Sequence, residues 1–386
     1  MKICFLMTRF PQKKGTSKAI YYEHLAYYLK NKGLQIGVVT PSDADADDFE
    51  NRDGIRIFRF RYWFKRYQAL AYRSGIMPNL KENYLLGFQL PFFLLFFLIK
   101  SLYVCRDYDI IQAHTTPVAF LALILKPFLR KPVITVVEGT DARTFPRFSQ
   151  FVVNRSDAAC APGVDKSVER MSNIRIIPTP VNTEMFNPNC ISDDALKKEF
   201  MLRDEFIVTF IGRLYEFKNP LLFVKTMPYI INRIQNIRFI IVGEGAQYMR
   251  VKSMVKRSGL EEYVILTGKF RSDINAILKL SDVYVSIEND NVWANTIAES
   301  MAMETPCIIS DSENSSKFFT HMKNCYIVKH NDPQSIADGI VSMLEDPGMR
   351  SQISAGGSSF LRAQKKLPED VVSLHMSMYE DVTGMR

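Results

Sequence analysis

The sequence predicts an α/β protein built from two doubly wound, Rossmann-like domains, and three observations carry that prediction. Apolar runs of strand length alternate with segments of helical spacing along the whole chain. The runs are continuous rather than alternating, as in strands of a parallel sheet covered on both faces. The series breaks around Pro188 to Asp194 and then restarts, and 386 residues are too many for one ordinary core.

Taken in order, Ile3 to Met7 is the first strand, its apolar run too short for a signal peptide. Lys18 to Asn31 has helical spacing (Ile20, His24, Tyr27, Tyr28) and ends near Gly33. Gln35 to Thr40, Ile55 to Phe60, Asp109 to Ala113 and Pro132 to Val137 read as strands. In Ile55 to Phe60, Phe58 and Phe60 should turn inward and leave Arg59 and the following Arg61 solvated. The uncharged run Asn83 to Ile99 has 17 residues. A span needs about 20 largely apolar ones, so a buried helix is the first expectation and an interfacial helix the second.

After the break come strands at Phe206 to Ile211, Arg238 to Val242, Tyr263 to Leu266, Val283 to Ser286 and Pro306 to Ile309. Helical patterns lie between them, at Leu221 to Arg233, Tyr248 to Ser258 and Ile274 to Leu280. A last helical stretch, Glu369 to Tyr379, lies beyond the final strand and can pack elsewhere. The expected domains are therefore 1–185 and 186–365, with a helix in 366–386 free to cross back to the first.

Six cysteines without a CxxC pair fit a reducing compartment and argue against a disulfide framework or zinc site. The five histidines are scattered, so no metal is expected. Residues 1–190 hold 26 Lys+Arg against 16 Asp+Glu, a net +10, whereas the rest hold 23 against 25, a net −2. A basic half implies an acidic partner. The arginine-aromatic stretch Ile55 to Arg73 in that half points to a peripheral contact with an anionic membrane; only the charge speaks for nucleic acid, and none is expected.

The residues that carry chemistry sit at strand ends. Gly212-Arg213 follows a strand and Lys218-Asn219-Pro220 opens a helix, which puts two cations at the carboxyl edge of a parallel sheet. Gly243 begins a Gly-Glu-Gly turn after the next strand, a weak signal alone. Asn291 to Thr296 precedes the helix that carries Glu299, and helix N-termini attract phosphate. Two cations and a carboxylate acceptor are what a nucleoside diphosphate requires.

These segments resemble the retaining glycosyltransferases of family 4, which have the GT-B fold of two Rossmann-like domains facing each other across a cleft. The second half carries the resemblance in GRLYEFKNPLLFVKTM, IRFIIVGEGAQYMRVK, VILTGKFRSDINAIL, SDVYVSIENDNVWANTIAESMAMETPCIISD and the interdomain IIPTPVNTEMFNP. The first half is similar at Lys14-Gly15-Thr16, DIIQAHTTP and VVEGTDA. The resemblance implies that Arg213 and Lys218 hold the donor diphosphate in place of a metal, with no cofactor. It implies that Glu299 holds the ribose, that Asn295 and Thr296 meet the distal phosphate, that Lys269-Phe270 flanks the base, and that Gly15 faces the phosphates. Two positions depart from the family pattern. Asn291 stands where the first glutamate of E-x7-E is expected, with Glu288 three residues earlier, and Glu138 replaces the usual histidine beside Gly139 and Asp141. Glu138 and Asp141 are the nearest groups for the sugar or acceptor.

The expectation is a retaining, hexosyltransferase-like enzyme that moves a sugar from a UDP- or GDP-sugar to a glycan or lipid-linked acceptor in the cytoplasm, peripherally on the inner membrane face. Its rivals are a degenerate nucleotide-sugar binding subunit and a nucleotide-sugar epimerase.

Overall fold

The computed structural model describes residues 1–12, 20–42, 46–72, 75–163, 166–268, 271, 273–288, 294–312 and 315–384. The chain divides into one unit formed by Met1–Pro180 with Pro368–Arg386 and a second formed by Val181–Leu367.

In the first unit the strands are β1 (Lys2–Leu6), β2 (Gln35–Pro41), β3 (Phe49–Arg52), β4 (Ile55–Phe60), β5 (Ile110–His114), β6 (Val133–Val136), β7 (Ala158–Ala161) and β8 (Arg175–Ile176). They pair in the order β3-β4-β2-β1-β5-β6-β7-β8, all parallel except the β3-β4 hairpin. Three helices matter below: α1 (Ile20–Asn31), α2 (Leu90–Cys105) and α3 (Thr116–Leu129). β1 and β5 are buried almost throughout; β1 is apolar from Ile3 on, whereas β5 buries the polar Gln112 and His114 along with its apolar residues. The helix Pro368–Thr383 returns to this unit, where Val371, Val372, Met378 and Tyr379 join the core around Ile3 and Phe5. Tyr379 Oη donates to Gln112 Oε1 at 2.6 Å.

Two expectations are corrected here. Arg59 is not solvated: it is buried, its guanidinium 2.8 Å from Glu50 and donating to the carbonyl of Asp47 at 3.3 Å. The cause is β3, a short polar strand without periodicity, which lays Glu50 across the face that Arg59 occupies. The helix expected to be buried is buried on one side only. Phe93, Phe97, Ser101, Val104 and Cys105 face the core of the unit, while the opposite side of α2 is open to solvent.

The second unit contains β9 (Phe206–Ile211), β10 (Ile237–Val242), β11 (Val264–Leu266), β12 (Val283–Ser286), β13 (Cys307–Ser310) and β14 (Tyr326–Val328). Their order is β11-β10-β9-β12-β13-β14, parallel throughout. Helices α4 (Pro220–Ile231) and α5 (Asn295–Ala302) follow β9 and β12. Strand order reverses between β9 and β12, with β10 and β11 added on one side and β13 and β14 on the other, the doubly wound arrangement whose switch point binds ligands outside the carboxyl ends of the strands.

Candidate functional site

β9 and β12 lie side by side, and the chain leaves β9 toward β10 but β12 toward β13, so the carboxyl ends of these two strands form the switch point of the sheet. The loop after β9 is fixed from its other side by β10. Gly243 has φ +141°, and a Cβ there would lie 1.9 Å from the Gly212 carbonyl oxygen. Gly212 N–H donates to Val242 O at 3.0 Å, and Leu214 N–H donates to Glu244 O at 2.9 Å. Glycine at 243 thus lets the two loops touch, and the contact sets the direction of Arg213.

Arg213 is exposed, its guanidinium 5.5 Å from the centre of the Phe217 ring and 6.0 Å from that of Tyr215. The two rings stack on each other at 6.2 Å. Lys218 is half-buried and ion-paired with Glu288, which is buried just after β12. Ser286 Oγ donates to Glu288 Oε1 at 3.4 Å, and Ser310 Oγ donates to the Glu288 carbonyl at 3.0 Å. Asn219, in the left-handed region at φ 56°, starts α4 and donates through Nδ2 to Ile287 O at 3.0 Å. The ion pair and this amide both bridge the switch point.

Asn295 and Thr296 form the first turn of α5, where the helix dipole is positive. One turn on, Glu299 is half-buried. Burial pushes its carboxyl up to about 7, against the opposing pull of Lys366. Lys366 is itself buried, and burial pushes its ammonium down to about 7 while Glu299 pulls it up. Its carbonyl accepts from Val181 N–H at 3.0 Å, which ties together the two segments where the chain enters and leaves this unit.

In the first unit Glu138 immediately precedes the short helix Gly139–Thr144 just after β6, and its side chain makes no capping bond to that helix. Its Oε1 accepts from Tyr21 Oη at 3.2 Å and from Tyr22 Oη in a shorter bond, both from the first turn of α1. Burial and the Glu138 charge push both phenols well above their usual range. Asp141 accepts from the Thr116 N–H at 2.9 Å, at the N-terminus of α3. Burial raises its carboxyl to about 6; the Thr116 bond opposes the shift and the Glu138 charge adds to it. Beside them His114 packs edge-on against Tyr22, ring centres 4.5 Å apart, and burial drives it down to about 3. It is held neutral in the core.

Within the second unit Gly212, Arg213, Lys218 and Gly243 gather at the ends of β9 and β10, and Asn295, Thr296 and Glu299 lie on α5. Glu138 and Asp141 stand together in the first unit. Gly15, Lys269, Phe270 and Asn291 lie outside the described residues. The sequence reading did not find Tyr21, Tyr22 or Lys366, and treated Glu288 only as a stand-in for position 291. Two adjacent tyrosines at a helix start are a faint signal for a carboxylate partner. Lys366, in a Lys-Lys pair, carries none.

This geometry can be set beside known proteins. Residues 192–359 match the family described as glycosyl transferases group 1, and residues 19–185 match glycosyltransferase family 4. The chain is 28% identical over 266 residues to the UDP-Gal:alpha-D-GlcNAc-diphosphoundecaprenol alpha-1,3-galactosyltransferase of Escherichia coli, covering 62% of this chain and 67% of that one. It is 23% identical to the GDP-mannose-dependent alpha-(1-6)-phosphatidylinositol monomannoside mannosyltransferase of Mycobacterium tuberculosis, covering 62% of this chain and 61% of that one. The fold superposes on sucrose-phosphate synthase from Thermosynechococcus elongatus with a TM-score of 0.80 at 17% identity, over the whole of both chains. It also superposes on Anabaena HepE in complex with UDP and glucose, with a TM-score of 0.75 at 15% identity, over 98% and 99% of the chains.

Proposed function

The chain belongs to the group 1 glycosyltransferases with the GT-B fold, and from that premise we propose that it transfers a sugar, with retention, from a UDP- or GDP-sugar to a glycan or lipid-linked acceptor. The observation that carries the donor side is the cation pair at the β9-β12 switch point. Arg213 and Lys218 follow β9 and α5 follows β12 on the same sheet edge, which supports the proposal that the cations and the first turn of α5 hold the two phosphates and that Glu299, one turn along, accepts a ribose hydroxyl. The similar enzymes from Escherichia coli and Mycobacterium tuberculosis are named for UDP-galactose and GDP-mannose, and both are named for acceptors that carry a lipid. That supports the donor class and favours a lipid-linked acceptor.

In this mechanism the two cations and the first-turn amides of α5 stabilise the departing diphosphate, which lowers the barrier to an oxocarbenium-like state. The acceptor hydroxyl attacks from the face the diphosphate leaves, and its proton passes to a diphosphate oxygen. Side chains replace a metal as the counter-charge. Arg213 is free to turn to the donor from its aromatic shelf. Lys218 must exchange Glu288 for phosphate, or share itself between them. On the sugar side Glu138, held by Tyr21 and Tyr22, is proposed to meet sugar or acceptor hydroxyls as a fixed acceptor.

The test is a panel of UDP- and GDP-sugars screened by thermal shift, followed by turnover with and without lipid-linked and free glycan acceptors. One donor should stabilise the protein and give an α-linked product from an α-linked donor, with EDTA making little difference. Inverted product, strict metal dependence, or epimerised donor formed without any acceptor would each overturn this mechanism.

A further inference from the structure

From Leu90 to Ile99 helix α2 is apolar all round, yet the first unit covers only one side of it. Its Phe93 and Phe97 pack under Phe60 of β4, ring centres 5.5 and 5.3 Å away. On the outward side Phe96 is 41% exposed, Ile99 54% and Tyr103 73%. The ring of Trp63 meets Phe92 at 5.0 Å and extends this surface into the loop after β4, where Phe64 is 74% exposed. α3 packs beside α2 in the same layer and turns Ile124 and Phe128 outward as well. Single exposed hydrophobics are ordinary, but a continuous apolar face on neighbouring helices marks an interaction site.

The surroundings of this face select its partner. Among the described residues from Phe64 to Arg106 five are basic (Lys65, Arg66, Lys81, Lys100, Arg106) and one, Glu82, is acidic, a net +4. Lys65, Arg66, Lys81 and Arg106 are exposed, and Lys100 is half-buried. A second copy of the chain would bring the same positive rim against itself. An anionic bilayer answers both features, taking the apolar side chains among its acyl chains and the basic ones among its headgroups. The segment Tyr84–Cys105, with 22 residues, is long and apolar enough to cross a bilayer by length and composition alone. The stripe of α2 packed into the α/β core rules out lipid on all sides, so immersion is limited to the outer face.

We propose that the outer face of α2 and α3, with the Trp63-Phe64 loop, is a one-sided docking surface for anionic lipid bilayers. It rests on the first unit's surface and not on the donor reading, and it can be tested without any sugar nucleotide. If the acceptor is lipid-linked, the surface brings the enzyme to the membrane that carries it.

The experiment is flotation of the full chain with vesicles of phosphatidylcholine alone and of phosphatidylcholine mixed with phosphatidylglycerol, at low and high salt. The wild type should float with the mixed vesicles at low salt and lose most binding at high salt or without phosphatidylglycerol. Phe96→Glu with Ile99→Glu should weaken binding about tenfold or more. Lys65→Ala and Arg66→Ala should weaken it about fivefold per charge. Circular dichroism verifies the fold of each variant, and Ile99→Ser, which adds no charge, gives a milder loss in the same direction. Three outcomes would overturn the proposal. They are wild-type protein that stays at the bottom of the gradient with mixed vesicles at low salt, binding indifferent to both sets of substitutions, and a lipid-free dimer that Ile99→Ser dissociates.

Discussion

At the residue scale, Arg213 and Lys218 share a proposed ligand but not a structural situation. Arg213 is exposed and rests on aromatic rings, whereas Lys218 neutralises the buried carboxylate of Glu288. Removing one partner of a buried ion pair leaves an uncompensated charge and costs about 3–5 kcal/mol. Thermal denaturation should therefore separate the two: Lys218→Ala lowers the melting temperature markedly, Arg213→Ala hardly at all, and Lys218→Ala with Glu288→Gln recovers much of the loss. Equal melting temperatures for the two single variants would show that the pair with Glu288 is not maintained in solution. Glu299 and Lys366 give a second prediction at this scale. The carboxyl of Glu299 is raised to about 7, so the folded state holds that proton more tightly and its stability contribution falls as pH rises from the usual carboxylate range to 7. The ammonium of Lys366 is lowered to about 7, so its contribution rises from 7 toward the usual lysine range. The pair alone thus gives least stability near pH 7. Compared with the wild type, Glu299→Gln should lose the falling limb and Lys366→Met the rising one, as read from melting temperature against pH. Parallel profiles for all three proteins would refute the coupling.

At the element scale, the switch-point loops depend on one glycine. With φ +141° and the Gly212 carbonyl 1.9 Å from where a Cβ would stand, Gly243→Ala must push apart the loops after β9 and β10. The expected cost is about 2 kcal/mol or more of stability, with a loss of nucleotide affinity because Arg213 moves with its loop. Unchanged stability in chemical denaturation would mean that the loops do not meet as described. The elements themselves were unevenly legible in the sequence. Phe206–Ile211 and Val283–Ser286 could be read to the residue because buried parallel strands are unbroken apolar runs. β3, with the sequence FENR, and β8, two residues long and exposed, carry no such run, since an edge strand is held by its neighbour and not by burial. Missing β3 is also what misplaced Arg59. The one-sided burial of α2 was beyond periodicity, because a helix apolar all round gives no stripe to read. At the candidate site, the positions of the two cations and of Glu299 after their strands were legible. Their charge partners Glu288 and Lys366 come from 70 and 67 residues away along the chain, and only folding brings them near.

At the scale of the whole molecule, the proposed donor site on the second unit and the proposed lipid-facing surface on the first would assign two substrates to two compact units, each with its own sheet. The first of these rests on the proposal that the β9-β12 switch point holds a nucleoside diphosphate through side-chain cations. Calorimetric titration tests it most directly, comparing a nucleoside diphosphate with the matching monophosphate on wild-type protein and on Arg213→Ala. Wild-type protein should bind the diphosphate of either uridine or guanosine at least about tenfold more tightly than its monophosphate, the worth of one charge-assisted contact. Arg213→Ala should remove most of that advantage while leaving the monophosphate affinity nearly unchanged. Equal affinity for the two nucleotides in the wild type, or a diphosphate preference that survives in Arg213→Ala, would contradict it.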